Sequence, residues 1–244
     1  MKKTMTCTLL AGCLVLVAAP PVLAEANGSR YFTFYAQQAW PKQTTTNDQI
    51  QEINDTFGTD FDDWSDVANL SVGAHLFWRV SPHWKVGMQV DYSRGSIDGS
   101  EKVMTEAGPA TLSFEQEYSV YADLYAVAHL LPWPEWKTIR PFIYGGIGFG
   151  YESDTTTLDL KNQFVDAGLR VENDGWFPTY TAGIGMDVPF SSKTAWYFEV
   201  GVAYVWSRMT NEVPATGELA PSSEVTADTD FTGPNYWLGV GLTF

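Results

Sequence analysis

From residue 29 to residue 244, apolar side chains recur at every second position, the period of a strand with one greasy face. Trp196, Phe198, Val200, Val202, Tyr204 and Trp206 share one face, and Tyr197, Glu199, Gly201, Ala203, Val205 and Ser207 share the other. The same division runs from Ala68 to Arg79, from Trp84 to Tyr92 and from Glu117 to Leu130, and segments near 29–40, 139–152, 176–189 and 231–244 bring the candidate strands to eight. The connections 41–66, 95–114, 153–175 and 210–230 are long, whereas Ser81-Pro82-His83, 132–138 and 190–193 are short. Strands of about ten residues joined by alternating short and long connections predict an all-β chain folded as an eight-stranded antiparallel up-and-down transmembrane β-barrel, with short periplasmic turns and long extracellular loops.

The aromatic residues sharpen this picture. Trp78, Trp84, Trp196 and Phe244 fall beside the short turns, and Tyr92, Tyr118, Tyr151, Trp176 and Trp206 fall beside the long loops, the spacing of two interfacial girdles. A soluble sandwich would concentrate its large apolar residues at strand centres. A lipocalin-like barrel would turn the apolar face inward, yet here that face carries the girdle residues while the opposite face is rich in Gly, which suits a crowded interior.

By parity the interior receives His75, Arg79, Lys85, Asp91, Glu117, Asp123, His129, Arg140, Asp187 and Glu199. A barrel of eight strands is just wide enough to be filled by its own side chains, so charges of both signs there must pair or stay hydrated. The expectation is a polar lumen network built on His75, Arg79, Lys85, Asp91, Asp123, His129, Arg140 and Glu199, either as an ion-paired plug or as a solute path. Gly146-x-Gly148-x-Gly150 reads as an interior face making room for Tyr121 and Tyr125, since no helix follows to make it a phosphate loop. Acyl chemistry on lipid would need an imidazole beside a Ser near the outer leaflet, and His75, His83 and His129 all fall toward the short-turn end. No catalytic, cofactor or metal residues are therefore nominated.

Charge removes further classes. The chain carries 14 Lys and Arg against 29 Asp and Glu, a net charge of −15, with no basic cluster beyond Lys2 and Lys3, so a nucleic-acid partner is not expected. Mean hydropathy of −0.14 excludes a bundle of apolar membrane helices. Lys2-Lys3, the apolar run Leu9 to Ala19 and the small residues of Val22-Leu23-Ala24 read as a secretory signal at 1–24, cleaved after Ala24, leaving a barrel domain at 25–244. Leu10-Ala11-Gly12-Cys13 also fits a lipoprotein cleavage site, although the apolar run continues past Cys13. Both cysteines, Cys7 and Cys13, lie in this segment, so thiol chemistry is not expected of the exported chain.

The final residues Tyr236, Leu238, Gly239, Val240, Leu242 and Phe244, alternating and ending in Phe, resemble the C-terminal signal by which outer-membrane barrels are recognised for assembly. The stretch from Arg140 to Tyr151 resembles the fifth strand of small OmpA-like and opacity-type outer-membrane proteins. That resemblance implies a Gram-negative outer-membrane location, lipopolysaccharide and membrane lipid as surroundings, and the barrel-assembly machinery as a partner. It implies a structural or surface-interaction role, with porin-like or lateral passage of small solutes, apolar ones included, as the alternative and lipid A acyl chemistry as a third reading; no separate peptidoglycan-binding domain is expected. Acid is concentrated in the long loops (Asp60, Asp62, Asp63 and Asp66 in the first; Asp154, Asp159 and Asp166 in the third; Glu212, Glu218 and Asp228 in the fourth), where carboxylates suit divalent cations shared with lipid phosphates.

Overall fold

Period-2 patterning becomes strand almost throughout. The computed structural model describes residues 29–40, 43–64, 69–106, 108–134, 136, 138–191, 195–220 and 224–244; the expected export signal, both cysteines and Asp66 lie outside them. In order the elements are β1 (Arg30–Ala39), α1 (Thr44–Phe57), β2 (Asn69–Arg79), β3 (Trp84–Thr105), β4 (Gly108–Leu130), β5 (Arg140–Lys161), β6 (Asp166–Pro189), β7 (Trp196–Val213), β8 (Ala215–Thr216), β9 (Val225–Asp230) and β10 (Gly233–Thr243). Strands β1 to β7 pair in sequence, β7 pairs with β10, and β10 pairs with β1, so eight antiparallel strands close into a ring. Closure gives each strand two neighbours and leaves no unpaired ladder edge in the wall. The small strands β8 and β9 add to β6 and β7 above the ring.

Alternation sorts the side chains. On β1 Tyr31, Thr33 and Tyr35 are buried while Phe32 and Phe34 stand outside, and Ile143, Ile147, Phe149, Ile184, Leu238 and Val240 continue an exposed apolar belt around the wall. Trp84, Trp133, Trp136, Trp196 and Phe244 border this belt at the short-turn end, and Tyr92, Trp176 and Trp206 border it at the other. An outward belt of this size bounded by amphipathic rings is a surface made for hydrocarbon.

Four strands run well past the upper girdle, which corrects the expectation of loops at 95–114 and 153–175. Both are hairpins: β3 and β4 stay paired to Thr105↔Gly108, and β5 and β6 stay paired to Lys161↔Asp166. Gly108 takes φ 104° at the first turn, a conformation that favours glycine. At the second, Asn162 Oδ1 accepts the backbone N–H groups of Phe164 and Val165, each at 2.7 Å. Here most outward positions face water and are polar, so the apolar face turns inward instead of outward, as where Ala110, Leu112 and Phe114 alternate with Thr111, Ser113 and Glu115.

A bulge in β4 makes a second correction. Asp91 pairs with Asp123 but Ser93 pairs with Val120, so β4 holds one extra residue at this level. Parity inverts above it. Tyr118 therefore turns inward instead of joining the girdle, and Glu117 turns outward to an exposed ion pair with Arg94 instead of entering the lumen.

The extended walls enclose an apolar core of their own. Trp64, Ile50, Phe61, Leu112, Phe114, Tyr118, Phe177 and Met209 are buried there, and the Trp64 indole N–H donates to Gln116 Oε1 at 2.6 Å. Helix α1 lies across this crown, turning Ile50 inward, and it ends where Gly58 adopts φ 66° and donates its N–H to the Asn54 carbonyl at 2.8 Å. Because burial of each such side chain contributes about 1.5–3 kcal/mol, the crown is a packed structure held by its own contacts.

Placement of the belt in hydrocarbon predicts that Ile147→Arg, at an outward position 64% exposed, lowers the folding free energy of the vesicle-embedded barrel. The loss should be about 2–4 kcal/mol in urea titration, whereas Ser96→Arg, at an exposed outward position of the crown, should change it by under about 0.5 kcal/mol.

Candidate functional site

The interior divides into a polar lumen at belt level and an apolar pocket in the crown. In the lumen, Lys85 Nζ on β3 lies 2.5 Å from Asp187 Oδ2 on β6, with both side chains almost wholly buried, and 4.2 Å from the Tyr31 ring centre. His75 Nε2 on β2 lies 3.0 Å from Glu199 Oε2 on β7. The same carboxylate accepts from Thr33 at 3.2 Å and, through Oε1, from the Trp237 indole N–H at 2.9 Å. The imidazole of His129 stacks on Phe142 at 4.1 Å and lies against Phe77 at 4.0 Å. Higher up, Asp91 accepts from the Tyr35 hydroxyl and from Gln89 at 2.9 Å, and Asp123 accepts from the Tyr125 hydroxyl.

Six of the eight nominated lumen residues, His75, Lys85, Asp91, Asp123, His129 and Glu199, are thus buried together with Asp187. Arg79 is not among them: its guanidinium donates to the Ser81 carbonyl at 3.3 Å and the Pro82 carbonyl at 2.8 Å, closing a short turn. Arg140 is half-buried at the first residue of β5. Both stand at strand ends, where a long side chain can leave the axis for the rim. His83 sits in the turn with Nδ1 3.0 Å from the Leu131 carbonyl.

Little space is left between these groups. A void of about 10 Å³ is lined by His75, His129, Tyr144, Glu199 and Trp237, and one of about 50 Å³ lies beside Ser71, Asp91, Asp123 and Ser207. Since one water needs about 10–15 Å³, these spaces hold a few waters and no solute. Glycines make the tight filling possible: a Cβ at Gly201 would run into the Trp237 ring, and one at Gly241 into the Tyr197 ring. Gly146, Gly148 and Gly150 do face inward, beside Val127, the backbone of Leu124 and Tyr125, and Phe177, while the Tyr121 side chain lies outside the described residues.

Above the belt, a pocket of about 350 Å³ opens between α1, β4, β5, β6 and β9. Ile50, Ile53, Phe114, Leu158 and Val171 wall it, with Gln116, Asn173 and Asp154 among its polar groups. Asp154 accepts from Gln116 Nε2 at 3.1 Å. Two residues back on the same inward face, and just beyond Tyr151 of the girdle, Glu152 is wholly buried with neither carboxylate oxygen hydrogen-bonded to protein. Burial pushes Glu152 up to about 9, helped by the nearby charge of Asp154, and burial pushes Asp154 itself up to about 6. Sequence reasoning named Asp154 only as a loop acid and missed Glu152, although extending the Gly146-Gly148-Gly150 face by two and four positions reaches both.

Among the described residues, no three His, Cys, Asp or Glu side chains converge as a metal cluster. In the last strand Tyr236, Leu238, Val240 and Phe244 are exposed to the belt side, Leu242 is half-buried, and Gly239 packs under Thr33 and Tyr35.

A closed ring with ion pairs within and a girdled apolar belt without has one compatible environment. The chain is an eight-stranded membrane-spanning β-barrel. No protein-family model matches it, and no curated protein does. Among solved structures it is similar to the outer-membrane protein OprG of Pseudomonas aeruginosa, at 15% identity and a TM-score of 0.41 over 88% of this chain and 95% of that one. It is also similar to CarO2 of Acinetobacter baumannii, at 11% identity and 0.42 over 87% and 98%, and to the attachment invasion locus protein Ail of Yersinia pestis, at 12% and 0.36 over 88% and 97%.

Two outcomes follow from this geometry. Lys85→Met strands Asp187 in the lumen and should cost about 3–5 kcal/mol of folding free energy, with most of it regained in Lys85→Met/Asp187→Leu, as a double-mutant cycle would show. In the crown, the folded state holds protons on Glu152 and Asp154 that the unfolded chain releases near pH 4 to 4.5. Their contribution to stability is therefore complete below that pH and is lost as pH rises toward 9. Protease resistance of the crown should fall from pH 5 to pH 9, and Glu152→Gln should flatten the upper part of that slope.

Proposed function

We propose that the protein is an integral outer-membrane barrel of a Gram-negative envelope that serves as a structural and surface-interaction protein, working through its crown. The observation that carries this reading is the contrast, among the described residues, between lumen voids of about 10 and 50 Å³ and a packed crown that holds a pocket of about 350 Å³. Recognition surfaces are commonly carried on projecting segments held by a rigid scaffold. Here the scaffold is the ion-paired wall, and the segments are two hairpins and a helix.

In this reading the short turns face the periplasm, the crown faces the exterior, and the belt lies in membrane lipid with lipopolysaccharide around the upper girdle. The alternating exposed face of β10 serves recognition by the barrel-assembly machinery, and outward acids such as Asp159, Asp166 and Glu218 are placed to share divalent cations with lipid phosphates. No catalytic role is assigned to His75 or His129, whose rings are enclosed by lumen aromatics.

Conductance decides between this role and solute passage. Refolded protein in a planar bilayer, shown to be folded by heat-modifiable gel migration, should give no steady openings, because any path must cross the Lys85–Asp187 and His75–Glu199 pairs. Reproducible unit openings would overturn the reading in favour of a channel.

A further inference from the structure

We infer that the crown pocket binds an amphipathic organic cation, a small molecule with an apolar body and an ammonium group. The inference deepens the surface-interaction reading by naming the ligand chemistry of its pocket. At about 350 Å³ the cavity falls within the range of small-molecule sites, and its walls are mostly hydrocarbon: Ile50 and Ile53 from α1, Phe114 from β4, Leu158 from β5 and Val171 from β6. Such walls suit an apolar body.

The charges facing this cavity have one sign. Glu52, Asp154 and Asp228 line it, and among the described residues neither Lys nor Arg does. Asp228 is engaged by the Arg208 guanidinium and by the Thr210 hydroxyl at 3.0 Å. Asp154 is different: it is 7% exposed, and its side-chain partner is the neutral amide of Gln116. Behind it stands Glu152, fully buried with both oxygens unpaired. A buried carboxylate without a counter-charge is costly, and an ammonium group beside Asp154 would offset that cost at its carboxylate, with Glu152 behind it held protonated by burial. An anion of the same shape would meet repulsion, and a neutral molecule would leave the Asp154 carboxylate uncompensated.

The test uses the full barrel in lipid nanodiscs and three probes with one body: 3-phenylpropylammonium, 3-phenylpropanol and 3-phenylpropionate, titrated calorimetrically with empty nanodiscs subtracted. The ammonium should bind about tenfold more tightly than the alcohol, and the carboxylate should not bind. Asp154→Asn should bring ammonium and alcohol to within about threefold of each other while retaining the alcohol. Ile53→Arg, which places a cation in the cavity, should abolish binding of both, with folding of each variant confirmed by heat-modifiable migration. Equal binding of the three probes, binding of none, or an undiminished ammonium preference in Asp154→Asn would overturn the inference. Conductance reports on the lumen and these titrations report on the crown, so failure of one is distinguishable from failure of the other.

Discussion

Everything in this molecule depends on the closing pair of strands, β1 with β10. In hydrocarbon an unpaired backbone N–H or C=O group costs several kcal/mol, so a sheet can enter a membrane only if its two edges meet. The pairing from Tyr31↔Thr243 to Ala39↔Asn235 satisfies both edges at once. Once the ring is closed, each residue has only two directions to face. The strand period then assigns every second side chain to lipid and every other one to an interior too narrow for bulk water.

That narrowness explains the composition of the lumen. Bulky rings such as Trp237, Tyr197 and Tyr35 lie over glycines 201, 241 and 73, their register partners on the neighbouring strands, which leave space for them. The charges are then arranged by neighbourhood. Lys85 meets Asp187 and His75 meets Glu199 across the lumen, each pair joining strands that are not adjacent in the ring. Such pairs contribute little net stability over an apolar filling, but they penalise any register in which one partner is stranded. A one-residue slip would turn these inward groups toward lipid, so the lumen charges act mainly to fix the register.

What the sequence revealed and what it hid divide at the upper girdle. Within the belt one face must be apolar and the other must fit a narrow interior, so Trp196 to Trp206 can be read directly as a strand with a known orientation. Above the belt the outward face meets water, and a run such as Thr155-Thr156-Thr157 carries no alternation to read. The bulge in β4 was hidden for another reason: an extra residue alters parity without altering composition, and Glu117 and Tyr118 exchange faces with no local mark of it. Helix α1 lay within a segment read only as a long acidic loop, where Ile50 and Ile53 are its main apolar inward contacts. Arg79 follows the correct parity, but parity does not say that a long side chain at a strand end can turn back to the carbonyls of the adjoining turn.

The two halves of the interior differ in charge, and the difference has a direction. At belt level the acids Asp187 and Glu199 face Lys85 and His75, so each buried carboxylate of the lower lumen has a nitrogen partner. From Asp91 and Asp123 upward to Glu152 and Asp154, the buried titratable groups are carboxylates and tyrosines, with no buried Lys or Arg among the described residues at that level. A low-dielectric wall focuses the field of such a column toward its open end, and the open end is the crown. Protons on Glu152 and Asp154 hold part of that charge in check. The crown is therefore set to favour cations over anions before any ligand contact forms, and its apolar core decides what kind of cation can stay.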